Sequence, residues 1–273
     1  MKKKNVLMIL TPGIILLVAC MVIPLLQVIL PTFSSQSYPM QSYIEFLSDK
    51  YYISILIRTI KISLITTLIC VGLGVPTAYF ISRTTKKWRG ILLAFSIFPL
   101  MTNSVVRSFA WINILGSTGI VNTFLMNIGL IDQPIKLLYS EFAIILGSVY
   151  LFLPLMIVTV AGVMETIEDD MMEASQSLGA SRIKSFMKVV FPLSVSGIIV
   201  GCILVFTGTL TAYTTPQLLG GNTNLMLSTF IYQQAMMLGD WHSASVIAFI
   251  MIIITLFVMK VLQTVSKKMD KRG

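Results

Sequence analysis

Uncharged apolar runs alternate along this chain with short charged clusters. A membrane-crossing helix needs about 20 apolar residues without charge, so the gaps between charges give a direct count. Residues 5–44 carry no charge, and their apolar part runs from Val6 to Leu30. Residues 62–82, 90–106 and 142–164 give the second, third and fourth runs. Residues 189–239 are uncharged throughout, and the stretch to about Tyr213 is the fifth. Residues 243–259 are the sixth, which can continue past Lys260 because a lysine stem can snorkel. The runs are too long for barrel strands and lack period-two alternation, so the pattern predicts an all-α, polytopic membrane protein of six transmembrane helices.

Two stretches fit this pattern less simply. Ser108–Ile131 is uncharged but holds Asn113, Asn122 and Asn127. Val121, Phe124, Leu125 and Ile128 share one helical face, with Asn122, Thr123 and Asn127 opposite, which predicts an amphipathic helix lying at the interface. Leu225–Leu238 is short, contains Gln233 and Gln234, and reads as an interfacial or re-entrant piece.

Composition agrees. Hydrophobic residues make up 56% of the 273, and Asp, Glu, Lys and Arg only 11%. Soluble domains carry about 25% charged residues, so an ordinary soluble enzyme is excluded, and so is a disordered chain. The net charge of +9 reports orientation. With the N-terminus inside, 15 of the 20 basic residues fall on the cytoplasmic side, among them Lys2, Lys3, Lys4, Arg83, Arg89, Lys184, Lys188, Lys267 and Lys268. Outside stand Lys50, Arg58, Lys61, Arg107 and Lys136. Both termini are therefore expected to be cytoplasmic. Lys2-Lys3-Lys4 before an apolar run ending in Cys20 resembles a lipoprotein leader, but the run continues to Leu30, so it is read as an ordinary span. Cys20, Cys70 and Cys202 all lie in apolar runs and are read as small hydrophobes.

The segment 165–188 is the most charged part of the chain. Asp170 and Glu173 have capping-box spacing, which predicts a helix from about Met171. Met171, Ala174 and Leu178 fall within one arc, expected to hold the helix to the bundle, with Glu173, Gln176 and Ser177 presented outward. Gly179 is the expected stop, and Ser181 the cap of a second helix. There Ile183, Phe186, Met187 and Val190 share a face, before Pro192 opens the fifth span. Two short amphipathic helices around a glycine turn make a docking element for a cytoplasmic partner.

These residues carry a resemblance. Glu173-Ala174-Ser175, three residues, Gly179, nine residues, then Val189-Val190-Phe191-Pro192 resembles the cytoplasmic signature of ATP-binding-cassette (ABC) importer permeases, the EAA motif. That signature reads Glu-Ala-Ala, three, Gly, nine, then Ile, any residue, Leu, Pro, and this chain departs at Ser175, Val189 and Phe191. Arg107-Ser108-Phe109-Ala110-Trp111, Gly119-Ile120-Val121-Asn122, Gly129-Leu130-Ile131-Asp132-Gln133-Pro134 and Thr215-Pro216-Gln217-Leu218-Leu219-Gly220-Gly221 are similar to the spermidine/putrescine-type subfamily.

The resemblance implies a single transmembrane permease domain, residues 1–273, with its core at about 55–262 and a coupling loop at 165–188, in the type I importer permease fold. It implies a second homologous permease, two cytoplasmic ATPase subunits and an extracytoplasmic binding protein as partners, besides membrane lipid and without nucleic acid. Coupling to the ATPase falls on Glu173, Ala174, Ser175, Leu178, Gly179, Ala180 and Pro192. The chain has no glycine-rich phosphate loop, so ATP and Mg belong to the partner ATPase, and no cofactor or catalytic residue is expected here.

Residues 31–59, 108–141 and 214–242 are the expected surface for the binding protein. Pro216 and Gly220-Gly221 interrupt the run after the fifth span. Broken helices are tolerated where they line a cavity, so Tyr213, Thr214, Thr215, Pro216 and Gln217 are candidate pathway residues, the alternative being a plain exit into a loop. Arg107 is placed at the headgroups beside Trp111, the alternative being the bundle interior. His242 has no second histidine with which to build a metal site. The solute implied is a polyamine, with opines or aminophosphonates as alternatives, because the outer acids Glu45, Asp49, Asp132, Glu141 and Asp240 do not lie deep in a span. A secondary transporter or channel would place ionisable groups inside its spans, and an intramembrane enzyme would need a catalytic set. The charge-free spans and the lack of such a set favour neither.

Overall fold

The computed structural model describes residues 3–34 and 40–269. Lys2, Lys271 and Arg272 of the inside-facing set, and residues 35–39 of the first outer segment, lie outside the described residues. The described residues form thirteen α-helices in chain order: α1 Lys3–Ser34, α2 Gln41–Ser48, α3 Lys50–Ser82, α4 Lys86–Met101, α5 Ser104–Leu115, α6 Ile120–Asn127, α7 Glu141–Met164, α8 Asp169–Ser177, α9 Arg182–Ser185, α10 Phe191–Thr211, α11 Thr214–Gly220, α12 Leu227–Tyr232 and α13 Trp241–Met269. Short π-helical turns lie at Phe186–Val190 and Gln233–Met237.

The contacts divide the chain into two compact units. The first comprises residues 1–53 and 230–252. In it Phe33, Tyr43 and Phe249 meet ring to ring at 5.5–5.8 Å, and the Tyr43 hydroxyl shares a 2.6 Å hydrogen bond with Thr32. Asp240 caps α13 by accepting from the Ser243 N–H at 2.9 Å. Large side chains of α1 such as Leu16 and Met21 are exposed, an arrangement stable only where the surrounding solvent is hydrocarbon. Cys20 sits mid-helix, and α1 runs on unbroken past it.

The second unit comprises residues 54–229 and 253–273 and holds the main core. Cys70, Val75, Ala78, Met156, Val160, Met164, Val190 and Val205 pack α3, α7 and α10 together. Glycine lets the helices approach: a Cβ on Gly201 would stand 2.5 Å from the Met156 sulfur. The helix α3 starts well before the predicted 62–82, carrying Arg58 and Lys61 within it. Both pair with Glu141 at the start of α7, at 3.3 and 2.7 Å. A count by charge gaps stops at Lys61, whereas the helix continues because its charges are partnered.

The third crossing differs from the one expected. Six stretches are long and apolar enough to cross a membrane, and by those criteria the third is Ser104–Asn127. That stretch is two helices, however, and packing assigns the crossing otherwise. Arg89 of α4 pairs with Glu165 at the end of α7. Trp111 of α5 meets Tyr150 at 5.7 Å, and Leu115 packs on Ala143 at the start of α7. Rising numbers on α4 and α5 thus meet falling numbers on α7. The third crossing is α4 followed by α5, broken at Thr102-Asn103, and the predicted 90–106 is its middle.

This corrects the interfacial reading of 108–131. Its first part, α5, belongs to the crossing, and only α6 is a separate short helix. The inward side of α6 is mixed, with Val121 packed against the Leu115, Ala143 and Leu219 cluster. Asn122 is fully buried, donating to the carbonyls of Gly116 and Ile135 and accepting from the Ile135 N–H at 2.9–3.1 Å. Phe124 and Ile128 are exposed. Of the polar side only Asn122 turns inward, where backbone groups satisfy it, while Thr123 and Asn127 stay exposed.

Residues 225–229 also proved buried. Met226, Leu227 and Thr229 are at most 1% exposed, and Leu227 donates its N–H to the Thr59 hydroxyl at 2.9 Å.

Candidate functional site

The segment 165–188 builds up from one turn. The helix α8 starts at Asp169, two residues earlier than capping-box spacing suggested, with Glu168 before it and no side-chain cap. Asp169 and Asp170 in its first turn suit the positive end of the helix dipole. It ends on paired backbone bonds: Ala180 N–H to Ser175 C=O at 3.2 Å and Gly179 N–H to Gln176 C=O at 2.9 Å. This Schellman arrangement needs a left-handed residue, and Gly179 has φ +87°. The Ser181 hydroxyl then accepts from the Lys184 N–H and caps α9. Across the turn the Ser175 hydroxyl donates to the Ser185 hydroxyl at 3.1 Å.

Two expectations for this segment need correction. The second helix is not a separate piece before the fifth span. Arg182–Thr211 is continuously helical, because the π turn at Phe186–Val190 leads directly into α10, where Pro192 occupies an opening position that needs no donated N–H. The apolar arc of α8 also does not hold it to the bundle, although Glu173 and Ser177 are exposed as expected. Met172 and Ser175 face the bundle, and the Met172 sulfur accepts from the Tyr79 hydroxyl at 3.0 Å. The arc of Met171, Ala174 and Leu178 is exposed, with Leu178 at 89%. Ile183, at 78%, and Met187 are exposed on the far side of the turn. Four large apolar side chains on the two limbs of the turn at Gly179 are thus exposed. Periodicity identifies residues that share a face, but not what the face touches. An exposed apolar patch marks an interaction surface.

Among the coupling residues, Glu173, Ala174, Leu178 and Gly179 are exposed, Ser175 and Ala180 are half-buried, and Pro192 lies within the helix leading away. The turn brings the first six together and leaves Pro192 apart.

The predicted pathway residues lie around a second break. Ala212-Tyr213 separates α10 from α11, and the Ala212 carbonyl accepts from the Ser228 hydroxyl at 2.5 Å. Thr215 and Pro216 are buried, and Tyr213, Thr214 and Gln217 are half-buried. The inner face of α11 lies against α7 so closely that a Cβ on Gly147 would meet Leu219 at 2.6 Å and Thr215 at 2.8 Å. At Gly221, φ +63° and ψ −167° put the backbone in a region open essentially to glycine alone.

Arg107 is the charged residue whose placement differs from expectation. It is 8% exposed and turned inward, not at the headgroups. Its Nη1 donates to the Pro99 carbonyl at 2.9 Å and the Thr102 carbonyl at 3.3 Å. It thereby satisfies acceptors freed by the break between α4 and α5. With Thr102, Val106, Trp111 and Tyr150 it lines an open groove of about 420 Å³. The uncharged run into Asn103 was the one available signal of this break. The Asn103 side chain accepts from the N–H groups of Val105 and Val106, capping the new helix.

Residues 70–271 match the family of binding-protein-dependent transport system inner membrane components. The chain belongs to that family. The spermidine/putrescine transport system permease protein PotB of Escherichia coli K12 is 31% identical over 241 residues, covering 88% of this chain and 87% of that one. The PotB of Haemophilus influenzae is 30% identical over 226 residues, covering 83% and 79%. A crystal structure of a bacterial alginate ABC transporter, in complex with an alginate pentasaccharide-bound periplasmic protein, holds a chain of the same fold. The TM-score is 0.78 at 19% identity, over 100% of this chain and 97% of that one. This chain is accordingly the permease subunit of an ABC importer, a multi-pass inner-membrane component and a transporter part rather than an enzyme.

Proposed function

We propose that this permease forms half of the pathway of a polyamine importer. The solute is delivered by an extracytoplasmic binding protein, and the cycle is driven by ATP and Mg on two separate ATPase subunits. The likeness to PotB over 88% of the chain supports the substrate class, and the binding-protein complex of the alginate transporter supports the mode of delivery. A second permease of the same kind completes the pathway. The charge balance supports cytoplasmic termini, which puts 165–188 inside and 31–59, 108–141 and 214–242 outside as the binding-protein surface.

The observation that carries the coupling assignment is the exposed apolar turn. Met171, Leu178, Ile183 and Met187 around Gly179 are a surface that water disfavours and a cleft on an ATPase would cover. Glu173, Ala174, Ser175, Leu178, Gly179 and Ala180 are the docking residues, and Pro192 starts the rod that carries the motion inward. Tyr213, Thr214 and Gln217 are the part of the pathway set that remains half-accessible, with Thr215 and Pro216 holding α11 in place.

Spermidine uptake into vesicles containing this permease with its cognate second permease, ATPase and binding protein tests the reading. Binding-protein-dependent uptake is expected. Transport of a different solute class by the same assembly would overturn the polyamine assignment and leave the permease role standing.

A further inference from the structure

Two arginines flank the loop between α3 and α4, and both reach the start of the coupling segment. Arg83 follows α3 directly. Its Nη1 bonds the Asp169 carboxylate and the Ile167 carbonyl, the latter at 3.0 Å. Its guanidinium lies over the Tyr79 ring, 5.8 Å from the centroid. Tyr79 in turn donates to the Met172 sulfur and meets the Phe186 ring edge-on at 4.8 Å. One turn of α3 thus grips α8 at Asp169 and Met172, and the second limb of the coupling segment at Phe186. Arg89 of α4 bonds the Glu165 carboxylate, and its Nη2 donates to the carbonyls of Ser82 and Thr84 at 2.8 and 3.2 Å.

Both arginines are under-bonded. Arg83 Nε and Nη2, and Arg89 Nε, are buried without a hydrogen-bond partner among the described residues. Buried donors left unpaired are costly, and a guanidinium offers several nitrogens in a fixed fork. Were α8 to shift, Asp169 could pass from one nitrogen of Arg83 to the next without the pair breaking.

We propose that Arg83, with Tyr79 and Asp169, is a positioning set that carries displacement of the docked turn into α3, with Arg89 and Glu165 doing the same for α4. The inference rests on reading 165–188 as the ATPase dock. Arg83 touches neither solute nor nucleotide and acts through α8. Its loss therefore lowers the solute moved per ATP rather than ATPase binding.

The test uses the complete reconstituted transporter, with spermidine uptake and ATP hydrolysis measured in the same vesicles. Wild-type uptake is the control for the substrate reading. Arg83→Gln and Asp169→Asn are each expected to lower uptake per ATP about tenfold, within the usual range for coupling between sites, while the ATPase still copurifies. The exchanged pair Arg83→Asp with Asp169→Arg is expected to recover part of the loss, and the fall in uptake per ATP with the ATPase still bound is the readout a merely structural role would not move. Arg83→Lys keeps the charge and membrane insertion but not the fork, and is expected to fall between. Unchanged uptake per ATP in the single variants, or an exchanged pair no better than either, overturns the proposal. Leu178→Asp tests the dock separately: if the ATPase stays bound to it, the docking reading fails instead.

Discussion

Arg107 donates through Nη1 to the carbonyl of Pro99, 2.9 Å away, so a cation on α5 closes the open end of α4. The same nitrogen reaches the Thr102 carbonyl at 3.3 Å. At the break a buried arginine thus joins the Thr102 hydroxyl, which donates to the Pro99 carbonyl at 2.7 Å, and the capping Asn103 side chain.

Arg107→Ala removes that closure, leaving the Thr102 carbonyl without its donor and the Pro99 carbonyl with only the Thr102 hydroxyl at 2.7 Å. A buried acceptor left unpaired costs about 1–3 kcal/mol. The purified permease is expected to unfold at a clearly lower temperature in detergent, with Arg107→Lys intermediate because an ammonium cannot span both acceptors as well. An unshifted midpoint for the alanine variant would show that the break holds without it.

At Gly179 the φ of +87° is a backbone matter alone, since a Cβ there would meet nothing within 4 Å. Left-handed geometry costs an ordinary residue about 1–2 kcal/mol, so Gly179→Ala should tilt the turn without unfolding the protein. Gly179→Asp adds a charge beside the exposed Leu178. It is expected to stay in the membrane yet hydrolyse ATP without uptake. Full uptake by this variant in vesicles would remove the turn from the coupling path.

Gly147→Val tests the seat of α11. Its side chain would collide with Leu219 and Thr215, which a glycine leaves 2.6 and 2.8 Å from the Cβ position. Overpacking of this kind costs about 1–3 kcal/mol. Uptake should fall while the ATPase still copurifies, because α11 lies far along the chain from the coupling turn. Loss of ATPase binding instead would mean the fault spreads through α7.

Asp240 offers a pH test. The hydroxyl and the backbone N–H of Ser243 donate to its carboxylate and hold it below the usual carboxylate range. A depressed value means the stabilisation is full above the unfolded value of about 3.9. It fades as pH falls through the lower folded value. Asp240→Asn keeps a capping acceptor but removes the titration, and is expected to flatten the acid limb of the melting curve. An acid limb identical to the wild type's would exclude this contribution.

Much of this was legible in the residues. Long uncharged runs located the membrane helices, and Gly179 and Ser181 marked their turn by local chemistry alone. What could not be read was contact. Arg58 and Lys61 looked like the end of a span because their partner, Glu141, is 80 or more residues away. The apolar arc of α8 was correctly periodic but expected against the bundle, whereas the structure leaves it exposed. Next to lipid, or on an interaction surface, an apolar face points outward, and periodicity alone does not distinguish this from a face turned to the core. The break at Thr102-Asn103 carried too small a local signal, one asparagine, to divide a helix on paper.

The helix from Arg182 to Thr211 has a mechanical consequence. Its 30 residues rise about 1.5 Å each, roughly 45 Å in all, and its two ends are the coupling turn and the threshold of α11. One helical rod therefore joins the turn at Gly179 to the start of α11, and a few degrees of tilt at Ser181 become ångströms of travel at Ala212.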